Sequence, residues 1–227
     1  MTDDLVTMKL SSAASVHDAV VDTSAGAGGV APLPQQQLSA LAISLGLHDG
    51  MAPVAFLDAI LCGTGHSSER WRAERVPACS LDPNKMAEMG NYGALVTALR
   101  RGRLKEFHQL LAAEGSSCSA ANSCGHTLLH CAARMGNVEV ARTLIEGGAD
   151  PSLADESGKT ALHDACWAVE FSCAMLLLLG GRNPRLFCAI DRFGATPLDY
   201  CHPGMHMDSC RFVAAVQSRW WPKSSSS

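Results

Sequence analysis

Hydrophobic and polar positions recur at a nearly fixed interval in the second half of the chain. The segment Gly125–His130 (GHTLLH) returns 33 residues later as Gly158–His163 (GKTALH), and 36 residues further on as Gly194–Asp199 (GATPLD). Apolar positions follow the first offset as well, for example Leu144 and Leu177. Because matching positions at such an interval are typical of stacked structural units, the pattern predicts a helical repeat array.

The repeated residues have the chemistry that a short helical unit needs. The repeated glycines suit tight turns with a positive φ, and the threonines that follow can cap a helix through their hydroxyl groups. Pro197 stands just inside a helix start, where its missing N–H costs nothing. Leu129 and Leu162 begin a buried stripe, and small residues such as Ala132 and Ala165 let neighbouring helices approach closely.

These residues resemble the ankyrin repeat, whose motif is Gly-x-Thr-Pro-Leu-His-x-Ala with a period of 33 residues. The best agreement runs from Gly125 to Asp150 (GHTLLHCAARMGNVEVARTLIEGGAD). The next unit departs from it at Val169, which stands where the first has Gly136 and so questions a tight turn between the two helices. The resemblance covers roughly the last 60% of the chain. It implies an all-α solenoid of stacked helix-turn-helix units joined by hairpin loops.

Composition divides the chain into segments. Residues 1–37 are rich in Ser, Ala, Gly, Pro and Gln and are predicted to be a largely disordered extension. Leucines at helical spacing make residues 38–62 either a short helical or docking element or a weakly helical part of the tail. Residues 63–91 are predicted to be a linker and 221–227 a disordered tail. The predicted ankyrin units are 92–121, 122–154, 155–190 and 191–220.

Composition and charge exclude several classes of function. The net charge is −4 and no long basic run occurs, which argues against a nucleic-acid partner. The N-terminus lacks the basic region of a signal peptide, and the apolar runs are too short for membrane insertion. We therefore expect a monomer in the cytoplasm or the nucleus. The chain has ten cysteines but no Cys-x-x-Cys pair, and this pattern favours reduced thiols that pack as small apolar side chains.

No motif indicates catalysis, a metal or a cofactor. The ankyrin resemblance gives His130 and His163 a structural role, in which they hydrogen-bond the backbone of neighbouring repeats. Ser157–Thr160 lacks the upstream glycine of a phosphate-binding loop, since Leu153 stands there. Asp164 has no nucleophile at a defined spacing. A loose set with zinc-binding side chains lacks the spacing of a known zinc module: Cys201, His202, His206 and Cys210. The chain is therefore not expected to be an enzyme.

The resemblance implies that the array binds another protein through its concave face and hairpin tips. Positions outside the repeated frame are expected to point outward, and most are basic or aromatic, which fits a partner of acidic and apolar character. An alternative is a substrate-receptor or accessory subunit that docks onto a larger enzyme complex through residues 38–62. The candidate partner-binding residues are Arg100, Arg101, Ser123, His126, Arg134, Met135, Lys159, Trp167, Arg192 and Phe193.

Overall fold

Paired α-helices build the part of the chain that the structure describes. The computed structural model describes residues 51–76, 83–113 and 117–221, with only the backbone at 83–90 and Ser218. Within these ranges no β-strand occurs, and 3₁₀ turns lie at Pro184–Cys188, Pro197–Tyr200 and Pro203–Met205. The α-helices are α1 (Pro53–Gly63), α2 (Pro83–Arg100), α3 (Leu104–Ala112), α4 (Leu128–Arg134), α5 (Val138–Glu146), α6 (Ala161–Ala168), α7 (Phe171–Gly181) and α8 (His206–Trp220).

The helices stack in four consecutive units. Three are the pairs α2–α3, α4–α5 and α6–α7, and the fourth joins the 3₁₀ helix Pro197–Tyr200 to α8. First helices pack on first helices, as α4 does on α6, and α5 packs on α7. Leu129, Leu162 and Leu177 are buried between the units, as their repeated positions predict. The predicted all-α repeat solenoid is confirmed.

The first three units close through the same turn after their first helix. Gly102, Gly136 and Val169 hold equivalent positions, with φ values of 67°, 67° and 59°. Each donates its N–H to the carbonyl three residues earlier, and the residue after it donates to the carbonyl five residues earlier. The turn that Val169 placed in question therefore forms, although a left-handed conformation costs a residue with a Cβ atom roughly 1–2 kcal/mol.

A histidine in each of two first helices ties its unit to the next hairpin. The Nδ1 atom of His130 accepts the N–H of Thr127 at 3.2 Å, and its Nε2 atom donates to the carbonyl of Lys159 at 2.9 Å. His163 repeats the arrangement, accepting at 3.0 Å and donating to the carbonyl of Ala195 at 3.3 Å. Burial lowers the pKa of both rings, to about 4 for His163, and so keeps them neutral. The structural role expected of these histidines is confirmed.

The spacing of 36 residues before the last hairpin exceeds the 33-residue repeat by three, but the extra residues do not lengthen the hairpin. They form the 3₁₀ helix Pro184–Cys188, whose Leu186 and Phe187 are buried in the core. The hairpin itself keeps the form of the earlier one. In the last hairpin, Asp191 donates its N–H to the carbonyl of Ala195 at 3.0 Å. In the earlier hairpin, Asp155 donates its N–H to the carbonyl of Lys159 at 2.8 Å.

Helix α1, the first helix of the described residues, packs on the last unit of the array. It contacts α8 and the 3₁₀ helix Pro197–Tyr200, and Phe56, Leu57, Ile60 and Leu61 are buried. This apolar face, which the docking alternative requires for residues 38–62, is therefore covered by the chain itself from Pro53 onward. Residues 38–50 and the disordered extension predicted for 1–37 lie outside the described residues.

The linker predicted for 63–91 is bound to the array over much of its length. Trp71 forms two backbone hydrogen bonds, of 3.2 and 2.8 Å, with the residues on either side of Ala189. Ala154 likewise forms two, both of 2.8 Å, with the residues on either side of Arg75. Its last residues belong to α2. This pairing involves backbone atoms and therefore leaves no hydrophobic pattern in the sequence, so the sequence indicated only a linker for these residues.

Two smaller expectations concern the chain end and the thiols. The tail predicted for 221–227 begins too early, because Trp221 is 4% exposed and packs beside His66 and Phe187. Residues 222–227 lie outside the described ranges.

The nine cysteines within the described ranges are free thiols, and most of those in the repeats are buried. In the same ranges, no helix is both long and apolar enough to cross a membrane.

Candidate partner-binding surface

Exposed side chains cluster at the C-terminal ends of the first helices. Arg134 and Trp167 occupy equivalent positions in α4 and α6, each two residues before the turn residue, and Arg100 holds that position in α2. Both arginines are exposed, and Trp167 is 57% exposed although most of α6 is buried. We call this region the inner-helix surface, defined by Arg100, Arg101, Arg134, Met135 and Trp167.

Arg134 and Trp167 form a stacked pair on this surface. The guanidinium carbon of Arg134 lies 5.0 Å from the centroid of the Trp167 ring. Its Nη2 atom also donates to Oδ1 of Asp164 at 2.8 Å. A cation over an exposed aromatic face contributes roughly 0.5–1 kcal/mol, and the ion pair adds a second restraint. The exposed pair is therefore held in place before any partner arrives.

The carboxylate of Asp164 joins two repeats. Its side chain is only 4% exposed, and it accepts hydrogen bonds from Arg134 and from Nε2 of His126, the latter at 3.1 Å. Burial opposes ionisation, but the hydrogen bond from His126 and the nearby positive charge outweigh it and lower the pKa of Asp164. Asp164 therefore carries a negative charge that is compensated on both sides.

His126 lies in a polar cluster beneath the inner-helix surface. Its Nδ1 atom is 3.4 Å from the Tyr92 hydroxyl and 3.6 Å from the Cys131 sulfur. Burial disfavours a charged ring, yet the hydrogen bonds with Asp164 and Cys131 raise the pKa of His126 to about 9. The ring is thus positively charged at neutral pH. The sequence predicted an outward partner-binding residue, whereas the His126 side chain is only 22% exposed and bonded within the chain.

The hairpin tips present a second exposed group. Phe193 is 72% exposed, and the guanidinium carbon of Arg192 lies 4.7 Å from its ring centroid. The carboxylate of Asp191 fixes the tip by accepting the N–H groups of Phe193 and Ala195 at 2.8 and 3.0 Å. An aromatic ring and a cation are therefore exposed together on a loop that two hydrogen bonds hold in place.

Two predicted residues differ from the rest in their exposure. Lys159 is half-buried, with its Nζ atom 4.1 Å from the centroid of the Tyr200 ring, and His126 is half-buried as described above. Sequence reasoning missed the role of Asp164 at this surface. A usable signal was present, because Asp164 places a charged residue in the buried stripe at the position that Cys131 occupies one repeat earlier. The predicted residues that the structure leaves exposed are Arg100, Arg101, Ser123, Arg134, Met135, Trp167, Arg192 and Phe193.

Comparison with known proteins agrees with the architecture. Residues 95–187 match the family model described as ankyrin repeats, in three copies. No curated protein matched the chain. The matched residues begin within α2 and end in the 3₁₀ helix Pro184–Cys188, so they span the first three stacked units. The family match and the repeated helical units together show that residues 95–187 form ankyrin repeats.

Proposed function

We propose that this chain is an intracellular protein-binding module whose inner-helix surface and hairpin tips hold a partner protein. Ankyrin repeats are in general protein–protein interaction modules. The observation that carries the proposal is the Arg134–Trp167 pair, because a largely exposed tryptophan leaves apolar area in water that a partner can cover. Tryptophan and arginine are also the residues that most often dominate the energy of protein interfaces.

The charge of this region indicates the chemistry of the partner. The inner-helix surface and the last hairpin tip carry Arg100, Arg101, Arg134 and Arg192, whereas the whole chain has a net charge of −4. Beneath them, the Asp164 carboxylate is compensated by two cationic groups, Arg134 and the charged ring of His126. A partner segment with acidic side chains beside an apolar one would complement this arrangement.

The remaining features of the proposal follow from composition. We place the protein in the cytoplasm or the nucleus, as a monomeric scaffold that binds protein rather than nucleic acid. The second candidate, an accessory subunit that docks through residues 38–62, receives less support, because Leu57 and its apolar neighbours in α1 are buried against α8.

Affinity capture with a matched control tests the proposal. The full chain, Trp167→Ala and Met207→Ala are immobilised in equal amounts, and proteins retained from a native lysate are compared by mass spectrometry. Met207 is the matched position because it is 55% exposed, close to the 57% of Trp167, and lies on α8. We expect a set of proteins that wild type and Met207→Ala retain and that Trp167→Ala loses at least about tenfold, since a central aromatic contact is worth upward of roughly 1–2 kcal/mol.

Circular dichroism of the two variants separates binding from folding. Both should keep the helical signal of the wild type, because neither side chain is buried. If Trp167→Ala keeps its helicity and retains the same proteins as the wild type, the inner-helix surface is not the binding surface.

A further inference from the structure

A thiol, an imidazole and a carboxylate from two repeats contact one another in succession beneath the inner-helix surface. The Cys131 sulfur is 3.6 Å from Nδ1 of His126, whose Nε2 atom is 3.1 Å from Oδ2 of Asp164. Cysteine nucleophiles are activated by this order of groups, in which the carboxylate orients the ring and the ring stabilises charge on the sulfur. No defined sequence spacing links the three residues, because the repeat stack brings α4 and α6 together.

Further contacts fix the geometry of the cluster. The hydroxyl of Tyr92, which lies on α2, is 3.3 Å from the Cys131 sulfur and can donate to it. Arg134 holds the other oxygen of the Asp164 carboxylate at 2.8 Å, so the carboxylate keeps its orientation toward His126. The sulfur therefore has two potential donors, and both come from side chains anchored in the array.

Exposure distinguishes Cys131 from the core cysteines of the neighbouring unit. Cys131 is 6% exposed, whereas Cys166 and Cys173 are 0% exposed. The His126 side chain beside it is 22% exposed. Cys131 and His126 therefore both keep some contact with solvent, whereas the two core cysteines have none.

We propose that Cys131 is a selectively reactive thiol that is modified by small soft electrophiles, with His126 as its activating group and Asp164 as the positioning residue. With iodoacetamide as the probe, the sulfur forms a bond to the methylene carbon, the carbon–iodine bond breaks, and iodide leaves with the electron pair. The thiol proton is released to solvent, and the His126 ring, whose Nδ1 atom is 3.6 Å from the sulfur, stabilises the charge that develops there as the proton leaves. This reactivity does not depend on the proposed partner.

The test measures alkylation of each cysteine in the folded full chain. Iodoacetamide is added at pH 7, samples are quenched over time, and peptide mass spectrometry gives a rate for every thiol. Cys173 is the control because it is buried in a neighbouring helix, and exposed Cys124 reports unhindered labelling. We expect Cys131 to react at least about tenfold faster than Cys173, as a paired thiol should.

Two variants distinguish activation from local opening. His126→Gln should slow Cys131 about tenfold and leave Cys124 unchanged, because the amide cannot carry the positive charge. If alkylation instead required opening of the array, a destabilising variant would speed it up, and Leu162→Ala serves as that reference. A Cys131 rate equal to that of Cys173 in the wild type would overturn the proposal. So would an unchanged or faster rate in His126→Gln.

Discussion

Val169 takes the left-handed backbone conformation that Gly136 takes one repeat earlier. Their φ values are 59° and 67°, and both donate the same backbone hydrogen bond to the end of the preceding helix. The tertiary stack therefore imposes this turn on a β-branched residue that disfavours it. The strain predicts an unusual order of stability among substitutions at position 169.

We expect Val169→Gly to be more stable than Val169→Ala by about 1–2 kcal/mol, because alanine keeps the left-handed strain and glycine does not. Both variants lose the two γ-methyl groups of valine, so they differ only in the Cβ atom and in the backbone freedom that its absence allows. Urea unfolding measures the difference. The control is Gly136→Ala, which should destabilise the protein because alanine would have to take the same left-handed conformation, at a φ of 67°. An alanine variant at 169 that matched or exceeded the glycine variant would contradict the strain.

The pair His126–Asp164 predicts a loss of stability in mild alkali. The pKa of His126 is about 9 in the folded chain and 6.5 as an ordinary value, so the pair stabilises the fold fully below pH 6.5. That stability is lost as the pH rises through about 9, and the full loss amounts to about 3 kcal/mol. Urea unfolding at pH 6.5, 7.5, 8.5 and 9.5 measures it.

Asp164→Asn is the matched variant for this alkaline loss. It removes the charge that raises the pKa of His126, so it should be less stable than the wild type at pH 6.5 and should lose less stability by pH 9.5. Parallel curves for the two proteins would show that another group causes the alkaline dependence.

The buried ring of His163 predicts the opposite dependence in mild acid. Its folded pKa is about 4 against an ordinary 6.5, so the unfolded chain takes up the proton first as the pH falls. Stability is therefore full above pH 6.5 and decreases down to about pH 4, by about 3 kcal/mol for this residue. Thermal unfolding of wild type and His163→Gln between pH 4 and 7 checks this, because the variant should lack this part of the slope. Equal slopes would remove His163 as the cause.

The packing of α1 on α8 predicts that the N-terminal segment stabilises the last unit. Leu57 is 0% exposed, so Leu57→Ala should reduce the free energy of unfolding by about 2–5 kcal/mol. Exposed Ala55 on the same helix gives the control variant Ala55→Ser, which should change stability by only about 0.5 kcal/mol. Urea unfolding and hydrogen exchange in α8 measure the effects. Unchanged protection of α8 in Leu57→Ala would mean that the array holds its last unit without α1.

Much of the fold was predictable from the sequence because a residue type that recurs at equivalent positions indicates the same structural role in each repeat. Leu129 and Leu162 were assigned to the core because they recur, and both are buried. Exposure of Arg134 and Trp167 was predictable for the complementary reason, since the repeated frame does not fix the residue at that position. Contacts that occur once in the chain had no such signal, and the backbone pairing of Trp71 with Ala189 was therefore missed.

The sequence by itself determined the repeat, its helical units, their core leucines and the outward position of Trp167, because these depend on local spacing and burial. Only the tertiary structure decided that His126 turns inward, that Asp164 binds both it and Arg134, and that helix α1 packs over the last unit. These features join residues from different repeats or from opposite ends of the chain. Their energies arise from distances that a periodic pattern does not encode.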